Sequence, residues 1–165
     1  MPAVHSPDAI LWFPHSGEVG PARVESMRED FAEAVYEVAG AIPSGSVLSY
    51  GDIAELLETA GPRQVGAAMS RAVDGTPWWR VVRAGGLPPR GHSARAMPFY
   101  TAEGTPLRFA GRRGGTEGSY SISMAAARWK PTEAQQAVLD DIRARLAEVS
   151  GPGTKRSHPH DWVGP

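Results

Sequence analysis

Residues 49–69, with the sequence SYGDIAELLETAGPRQVGAAM, contain two short helical patterns on either side of a Gly-Pro break. Ser49 and Asp52 have the spacing of a capping box, in which each side chain bonds the backbone N–H of the other residue. The first helix that this box opens has its apolar residues at helical intervals, namely Ile53, Ala54, Leu56 and Leu57. After the break at Gly61-Pro62, a second helix is predicted from Arg63 to Ala72, and its inner face is Val65, Ala68, Met69 and Ala72.

Longer helical patterns flank this pair. Upstream, Ser26 and Glu29 have capping-box spacing, and Gly40 with Pro43 marks the stop. The inner face predicted between them is Phe31, Ala34, Val35, Val38 and Ile42. Downstream, a short helix is predicted over residues 97–103, closed by Gly104. A last helix is predicted from Thr132, capped with Gln135, to about Val149, with Val138, Ile142, Leu146 and Val149 inward.

Two short helices joined by a Gly-containing turn, after a longer helix, are typical of a helix-turn-helix. The pattern predicts an α+β fold, mainly helical, with a winged-helix-like helix-turn-helix whose recognition helix begins at Arg63. Gly66, Ala67 and Ser70 on its predicted exposed face would let a groove wall come close. A length of 165 residues indicates one domain with appendages. The predicted parts are an N-terminal arm (1–25), a DNA-binding domain (26–110), a C-terminal extension with one helix (111–150) and a flexible tail (151–165).

Charge is distributed unevenly along the chain. Residues 1–60 hold two Arg and ten acidic residues, whereas residues 61–113 hold nine Arg, no Lys and two acidic residues. Arginine suits phosphate because its donors form a planar fork, so this segment predicts a polyanion partner. An alternative is that these arginines pair with the acidic residues between Glu25 and Glu58. The absence of Cys excludes disulfides and thiolate chemistry, and no apolar run is long enough to span a membrane. No signal-peptide pattern precedes Val19, so a cytoplasmic location is expected, nucleoid-associated when DNA is bound.

Four ordered motifs carry a family resemblance over roughly residues 26–108. They are Tyr50-Gly-Asp-Ile-Ala, then Pro62-Arg-Gln-Val-Gly-Ala-Ala-Met69, then Pro77-Trp-Trp-Arg-Val-Val82, then Ala102-Glu-Gly104. Their order and spacing resemble the DNA-binding domain of O6-alkylguanine-DNA alkyltransferases. In that family Pro-Cys-His-Arg stands where Pro77-Trp78-Trp79-Arg80 stands here, and the Cys accepts the alkyl group. An indole is not a nucleophile of that kind, which excludes self-alkylation. The chain is therefore similar to the alkyltransferase-like proteins, in which Trp often replaces the Cys.

The resemblance implies a non-enzymatic protein that binds O6-alkylguanine in duplex DNA by minor-groove insertion and nucleotide flipping. Such proteins hand the lesion to nucleotide excision repair; a monomer without cofactor or metal is expected. Arg63 would fill the gap that the flipped nucleotide leaves. Tyr50 would lie beside the adjacent phosphate, donate its hydroxyl to a phosphate oxygen and press the nucleotide outward. The residues expected to contact DNA are Tyr50, Arg63, Gln64, Gly66, Ser70 and Arg71. Those expected to form the lesion pocket, closed by residues 82–93, are Trp78, Trp79, Arg80, Val81, Arg90 and Glu103.

Two departures from the family pattern concern the pocket. Trp79 replaces the motif His, so the His-to-Glu proton relay is lost, and Glu103 is expected to remain as an acceptor for a backbone or Arg donor. The run after the recognition helix is two residues shorter than in the family, with Ala72 near the position of a family Asn. Adjacent Trp residues in an extended segment would point to opposite faces. Trp78 is then expected to form the pocket wall, and Trp129 to anchor the last helix.

Three other functions fit parts of the sequence. A sequence-specific regulator would read the major groove through Arg63, Gln64 and Ser70. A base-processing hydrolase would use Glu103 to activate water. A partner module that has lost DNA binding would account for the missing motif residues.

Overall fold

A computed structural model of the chain describes residues 20–111 and 118–150. The helices are α1 (Pro21–Ala41), α2 (Tyr50–Leu57), α3 (Pro62–Met69), α4 (Ser93–Glu103), α5 (Met124–Ala127) and α6 (Glu133–Val149). The strands are β1 (Leu48–Ser49), β2 (Val81–Val82), β3 (Leu107–Phe109) and β4 (Tyr120–Ile122). The predicted tail and the first 19 residues of the predicted arm lie outside the described residues. Within residues 20–111 and 118–150, no helix combines the length and apolarity needed to cross a membrane.

Helices α2 and α3 form the predicted helix-turn-helix, and α1 packs against both. The capping box at the start of α2 is present: Ser49 N–H donates to Asp52 Oδ2 at 2.9 Å, and Asp52 N–H donates to Ser49 Oγ at 3.1 Å. The hydroxyl of Tyr36 in α1 donates to the carbonyl oxygen of Ala68 in α3 at 2.7 Å. The longest helix therefore holds the recognition helix directly. The prediction of a mainly helical fold with a helix-turn-helix is confirmed.

The main core lies between these three helices and α6. Trp129 is 6% exposed and shares this core with Leu139, Ile142 and Leu146 of α6. The predicted cap of α6 is also present, since Gln135 N–H donates to Thr132 Oγ1 at 3.3 Å. The role of Trp129 as an anchor for the last helix is confirmed.

Several predicted helix boundaries and faces are wrong. Helix α1 begins at Pro21, because Pro is favoured in the first helical turn, and the predicted start at Ser26 falls inside it. The arm boundary predicted at residue 25 therefore also falls within α1. Helix α4 begins at Ser93 rather than Met97. On α6 Val138 and Val149 are exposed, because the buried stripe passes through Leu139 instead.

Two small sheets complete the fold. Strands β1 and β2 pair in parallel, and β3 and β4 form an antiparallel hairpin in the place of a wing. Gly86, in the segment that follows β2, has φ +78° and packs against β4. A Cβ at this position would lie 2.2 Å from the carbonyl oxygen of Ile122, so no other residue fits without a shift of the backbone. The hairpin therefore fixes the path of residues 82–93.

Three acidic residues of the first third of the chain pair with C-terminal arginines. The pairs are Arg145 with Glu37 at 2.7 Å, Arg128 with Asp52 at 3.2 Å and Arg143 with Glu58 at 3.3 Å. The expectation that these acids neutralise arginines of residues 61–113 is wrong for these three acids. The packing of α6 against α1 and α2 brings Arg143 and Arg145 within reach. Arg128 precedes α6 and is held near Asp52 by its β-bridge to Val47.

Candidate nucleic-acid interface

A cavity of about 690 Å³ opens beside the recognition helix. One wall is α3 with the loop that follows it, from Gly66 to Thr76. The opposite wall combines the Trp78–Arg80 turn with residues from 83 to 99. Its volume lies in the range of pockets that enclose a small organic ligand, and a nucleobase fits that range.

Trp78 stands at the centre of an aromatic cluster on this cavity. Its ring lies 5.9 Å from that of Trp79 and 5.8 Å from that of Phe99, both edge-on, and 5.5 Å from the ring of His92. The guanidinium of Arg95 lies 5.3 Å from the centre of the Trp78 ring. Trp78 is only partly buried and lines the cavity, so its indole presents an apolar surface to an occupant.

The expectation that the two tryptophans point to opposite faces is wrong. Residues 78–80 form a single 3-10 turn rather than an extended strand, so successive side chains are not alternated across a sheet. Both Trp78 and Trp79 line the cavity. Trp79 stacks face to face on Phe99, with ring centres 3.9 Å apart and planes 12° apart.

Behind Trp79 lies a hydrogen-bond network around Glu103. The indole Nε1–H of Trp79 donates to Glu103 Oε1 at 3.0 Å, and the Gly45 N–H donates to Oε2 at 3.1 Å. Arg80 donates to the carboxylate through Nη2 at 2.6 Å and to the carbonyl oxygen of Ile42 through Nη1 at 2.9 Å. Glu103 is thus an acceptor for backbone and Arg donors, as predicted.

The surroundings of Glu103 act on its pKa in opposite directions. Burial raises the pKa, but hydrogen bonds from Arg80, Gly45 and Trp79 and the charge of Arg80 lower it, and the net shift is downward. The carboxylate is therefore ionised at neutral pH and holds the Trp78–Arg80 turn against α4.

Three residues predicted for the lesion pocket do not line the cavity. Arg80 and Glu103 belong to the network behind Trp79, where they support the wall rather than form it. Val81 is fully buried in β2, paired with Leu48 of β1. The structure brings Trp78, Trp79 and Arg90 together around the cavity.

Tyr50 and Gly66 form one unit at the base of the cavity. A Cβ on Gly66 would lie 3.3 Å from Tyr50 Cε2, so the Tyr50 ring occupies the space that a larger residue would fill. The expectation that Gly66 lies on the exposed face of the recognition helix is therefore wrong, because the Tyr50 ring packs against it. Burial raises the pKa of the Tyr50 hydroxyl, and the charge of Arg83 partly opposes this shift. The hydroxyl is therefore a hydrogen-bond donor at neutral pH.

The remaining predicted DNA contacts lie on the outer surface of α3 and the loop after it. Arg63, in the first turn, and Arg71 are exposed, and neither guanidinium has a hydrogen-bond or ion-pair partner within the described residues. The side-chain oxygen of Gln64 accepts a hydrogen bond from Gly61 N–H at 3.1 Å and so caps the helix. Ser70 lines the cavity and donates its hydroxyl to the Ala67 carbonyl oxygen at 2.7 Å.

Residues 82–93 cover one side of the cavity, as the pocket-closing segment was expected to do. Arg83 Nε donates to the carbonyl oxygen of Pro88 at 2.8 Å and closes this segment on itself. At its end, the Tyr120 hydroxyl from the hairpin donates to the carbonyl oxygen of Ser93 at 2.6 Å. Arg90 is exposed at the cavity edge.

Several residues of the cavity wall belong to none of the sequence motifs. His92, Arg95 and Phe99 face Trp78, and Val73 lies at the rim with 63% of its surface exposed. The predicted start of α4 at Met97 left residues 93–96 outside any element, so Arg95 was not placed near the tryptophans. The nine-arginine segment was the available signal, because Arg95 belongs to it.

Comparison with known proteins identifies this architecture. Residues 30–104 match the family model of the 6-O-methylguanine DNA methyltransferase DNA-binding domain. The structure is similar to that of S. pombe Atl1 in complex with damaged DNA containing O6-carboxymethylguanine, with a TM-score of 0.51 and 30% identity. That similarity covers 62% of this chain and 97% of the S. pombe chain.

The chain belongs to the alkyltransferase-like family.

A second S. pombe structure, of the same kind of protein in complex with DNA, gives a TM-score of 0.53. This alkyltransferase-like protein is also 38% identical over 78 residues to the DNA base-flipping protein of Escherichia coli, and the match covers 45% of this chain. The same figures hold for the DNA base-flipping protein of Shigella flexneri. The chain spans 60% of the length of these curated relatives.

Proposed function

We propose that this alkyltransferase-like protein recognises O6-alkylated guanine in duplex DNA without reacting with it, and that the damaged nucleotide is flipped into the cavity beside α3. The observation that carries the proposal is the Trp78 indole on the wall of a cavity of about 690 Å³, at the position where alkyltransferases carry their acceptor Cys. The similarity to the DNA base-flipping protein of Escherichia coli and to S. pombe Atl1, which was crystallised with damaged DNA, supports it.

Flipping a nucleotide out of a duplex costs a few kcal/mol, which the protein has to offset. Arg63 is exposed in the first turn of α3 and has no competing partner in the described part of the chain, so its guanidinium is available to stack in the gap. The Tyr50 hydroxyl keeps its proton and donates to a backbone phosphate. The flipped base then gains contacts with Trp78, whose apolar face suits the alkyl group.

The chemistry of the cavity supports binding rather than transfer. The sequence contains no Cys, and an indole ring offers no lone pair for attack on an alkyl carbon. Glu103 accepts hydrogen bonds from Gly45, Trp79 and Arg80 and does not line the cavity. The position of Glu103 therefore does not support the hydrolase alternative, which needs this residue as its base.

A protein that binds a lesion without removing it acts by forming the complex. We therefore propose that the monomeric complex with DNA is passed to nucleotide excision repair in the cytoplasm. The regulator alternative predicts a strong dependence of affinity on DNA sequence and little dependence on the damaged base.

The test compares the affinity of the protein for one duplex with and without a single O6-methylguanine. Binding is measured by fluorescence anisotropy at a fixed salt concentration. The wild type is expected to prefer the lesion, and the intact mass of the protein is expected to stay unchanged after incubation. Trp78→Ala should lower this preference, whereas Arg63→Ala and Tyr50→Phe should weaken binding to both duplexes. Arg28→Ala, an exposed arginine of α1 outside the cavity, is the control.

Equal affinity of the wild type for both duplexes contradicts the proposal. A mass increase equal to the alkyl group contradicts the non-enzymatic part of it.

A further inference from the structure

The cavity wall carries a cation directly on the tryptophan. Arg95, in the first turn of α4, places its guanidinium 5.3 Å from the centre of the Trp78 ring. The His92 ring approaches the same indole at 5.5 Å. The part of the cavity next to Trp78 is therefore not purely apolar, because a fixed positive charge and an array of N–H donors border it.

Arg95 has no carboxylate to neutralise it. Within residues 20–111 and 118–150, neither Arg95 nor Arg90 forms an ion pair, although both line the cavity. Asp74 is the one carboxylate on the cavity wall in these ranges, and it forms no ion pair either. Arg128 and Arg143, by contrast, contact carboxylates at 3.2 and 2.9 Å. Arg95 and Arg90 thus keep charges that no carboxylate of the described residues neutralises, at the place where the ligand is expected.

We propose that the pocket prefers O6-guanine adducts that end in a carboxylate, and that Arg95 is the residue that sets this preference. The inference rests on the proposed function, in which the alkyl substituent faces Trp78. A substituent in contact with that indole lies within reach of the guanidinium above it, because the two groups are 5.3 Å apart.

The physical basis is the difference between a charged and a neutral end group. A carboxylate accepts two parallel hydrogen bonds from a guanidinium, and these charge-assisted bonds are about twice as strong as neutral ones. The indole beside the guanidinium offers an apolar contact to the methylene group of the adduct, so that the carboxylate is held next to Arg95. A neutral amide of the same shape has only one acceptor oxygen and no negative charge, so it forms one of the two hydrogen bonds and no ion pair.

The experiment uses the full chain and three duplexes of one sequence, carrying O6-methylguanine, O6-carboxymethylguanine or O6-carbamoylmethylguanine. The carbamoylmethyl group has the shape of the carboxymethyl group without its charge. The wild type is expected to bind the carboxymethyl duplex about tenfold more tightly than the carbamoylmethyl duplex. Arg95→Met keeps the length of the side chain and should bring that ratio close to one.

Arg28→Met removes an exposed positive charge of α1 outside the cavity and should leave the ratio as in the wild type. A ratio near one for the wild type, combined with a clear preference for O6-methylguanine over guanine, overturns this inference and leaves the proposed function standing. If the wild type does not prefer O6-methylguanine over guanine, both this inference and the proposed function are overturned. If Arg95→Met weakens all duplexes equally and lowers the salt dependence, Arg95 contacts a phosphate and the inference is wrong.

Discussion

Replacing Glu103 with Gln removes the negative charge beside Arg80 and keeps the shape of the side chain. The carboxylate accepts from Arg80 Nη2 at 2.6 Å, from Trp79 Nε1 at 3.0 Å and from the Gly45 N–H at 3.1 Å. The side chains of Arg80 and Glu103 are only 18% and 11% exposed, so water replaces little of what is lost. A Gln amide retains one acceptor oxygen and turns an N–H₂ group toward these donors. We expect the free energy of unfolding to fall by about 3 kcal/mol, a value typical of a broken buried pair.

The assay is urea unfolding followed by circular dichroism, with thermal unfolding as a second measurement. A loss of about 3 kcal/mol corresponds to a Tm lower by about 6–12 °C for a chain of this size. Glu29→Gln is the matched control, because Glu29 is exposed on α1 and has no partner in the described part of the chain.

The pH dependence follows from the lowered pKa of Glu103, whose ordinary value is 4.5. The stability that the carboxylate contributes is complete above the ordinary pKa and is lost as the pH falls through the lower folded-state pKa. The difference between wild type and E103Q should therefore stay constant from about pH 7 to about pH 5 and shrink only below that. A loss smaller than about 1 kcal/mol at neutral pH, as for an exposed pair, refutes the reasoning.

Gly86→Ala should destabilise the fold by about 3 kcal/mol, because its Cβ would meet the Ile122 carbonyl oxygen at 2.2 Å. Gly85 also has a positive φ, +75°, but no atom lies within 4 Å of a Cβ there. Gly85→Ala should therefore lower the free energy of unfolding by only about 1–2 kcal/mol, the cost of a left-handed backbone. Equal losses for the two variants in urea unfolding would contradict this. Trp79→Phe keeps a ring and removes the indole donor, so a loss of about 1–3 kcal/mol is expected from thermal unfolding, and an unchanged Tm argues against the hydrogen bond. Ser49→Ala removes the cap of α2 and should lower the free energy of unfolding by about 1 kcal/mol, measured in the same way. An unchanged Tm would show that the capping box does not stabilise the fold.

Local signals in the sequence predicted the parts of the fold that depend on local bonds. The boxes at Ser49 and Thr132 form because both partners lie within one turn. The same spacing at Ser26 failed, because it recurs by chance inside a helix that Pro21 had already started. Val138 was a similar failure, since a helix buries one of two adjacent apolar residues and tertiary packing selected Leu139.

The candidate site depended more on contacts between distant residues. Motif spacing placed Trp78 and Arg90 at the cavity, but no sequence pattern showed that residues 78–80 turn and bring both indoles to one side. The contact of Gly66 with Tyr50 and that of Arg95 with Trp78 join separate elements, so they became visible only in the folded chain.

The hydrogen bond from Trp79 to Glu103 bears on what a single substitution to cysteine would achieve in this cavity. A thiol introduced by Trp78→Cys would need a neighbouring group to take its proton. The Trp79 indole is a donor only, and Glu103 is already committed to Arg80 and Gly45. One substitution therefore supplies a sulfur but not a reactive thiolate. A dealkylating site in this cavity would require changes at positions 78 and 79 together.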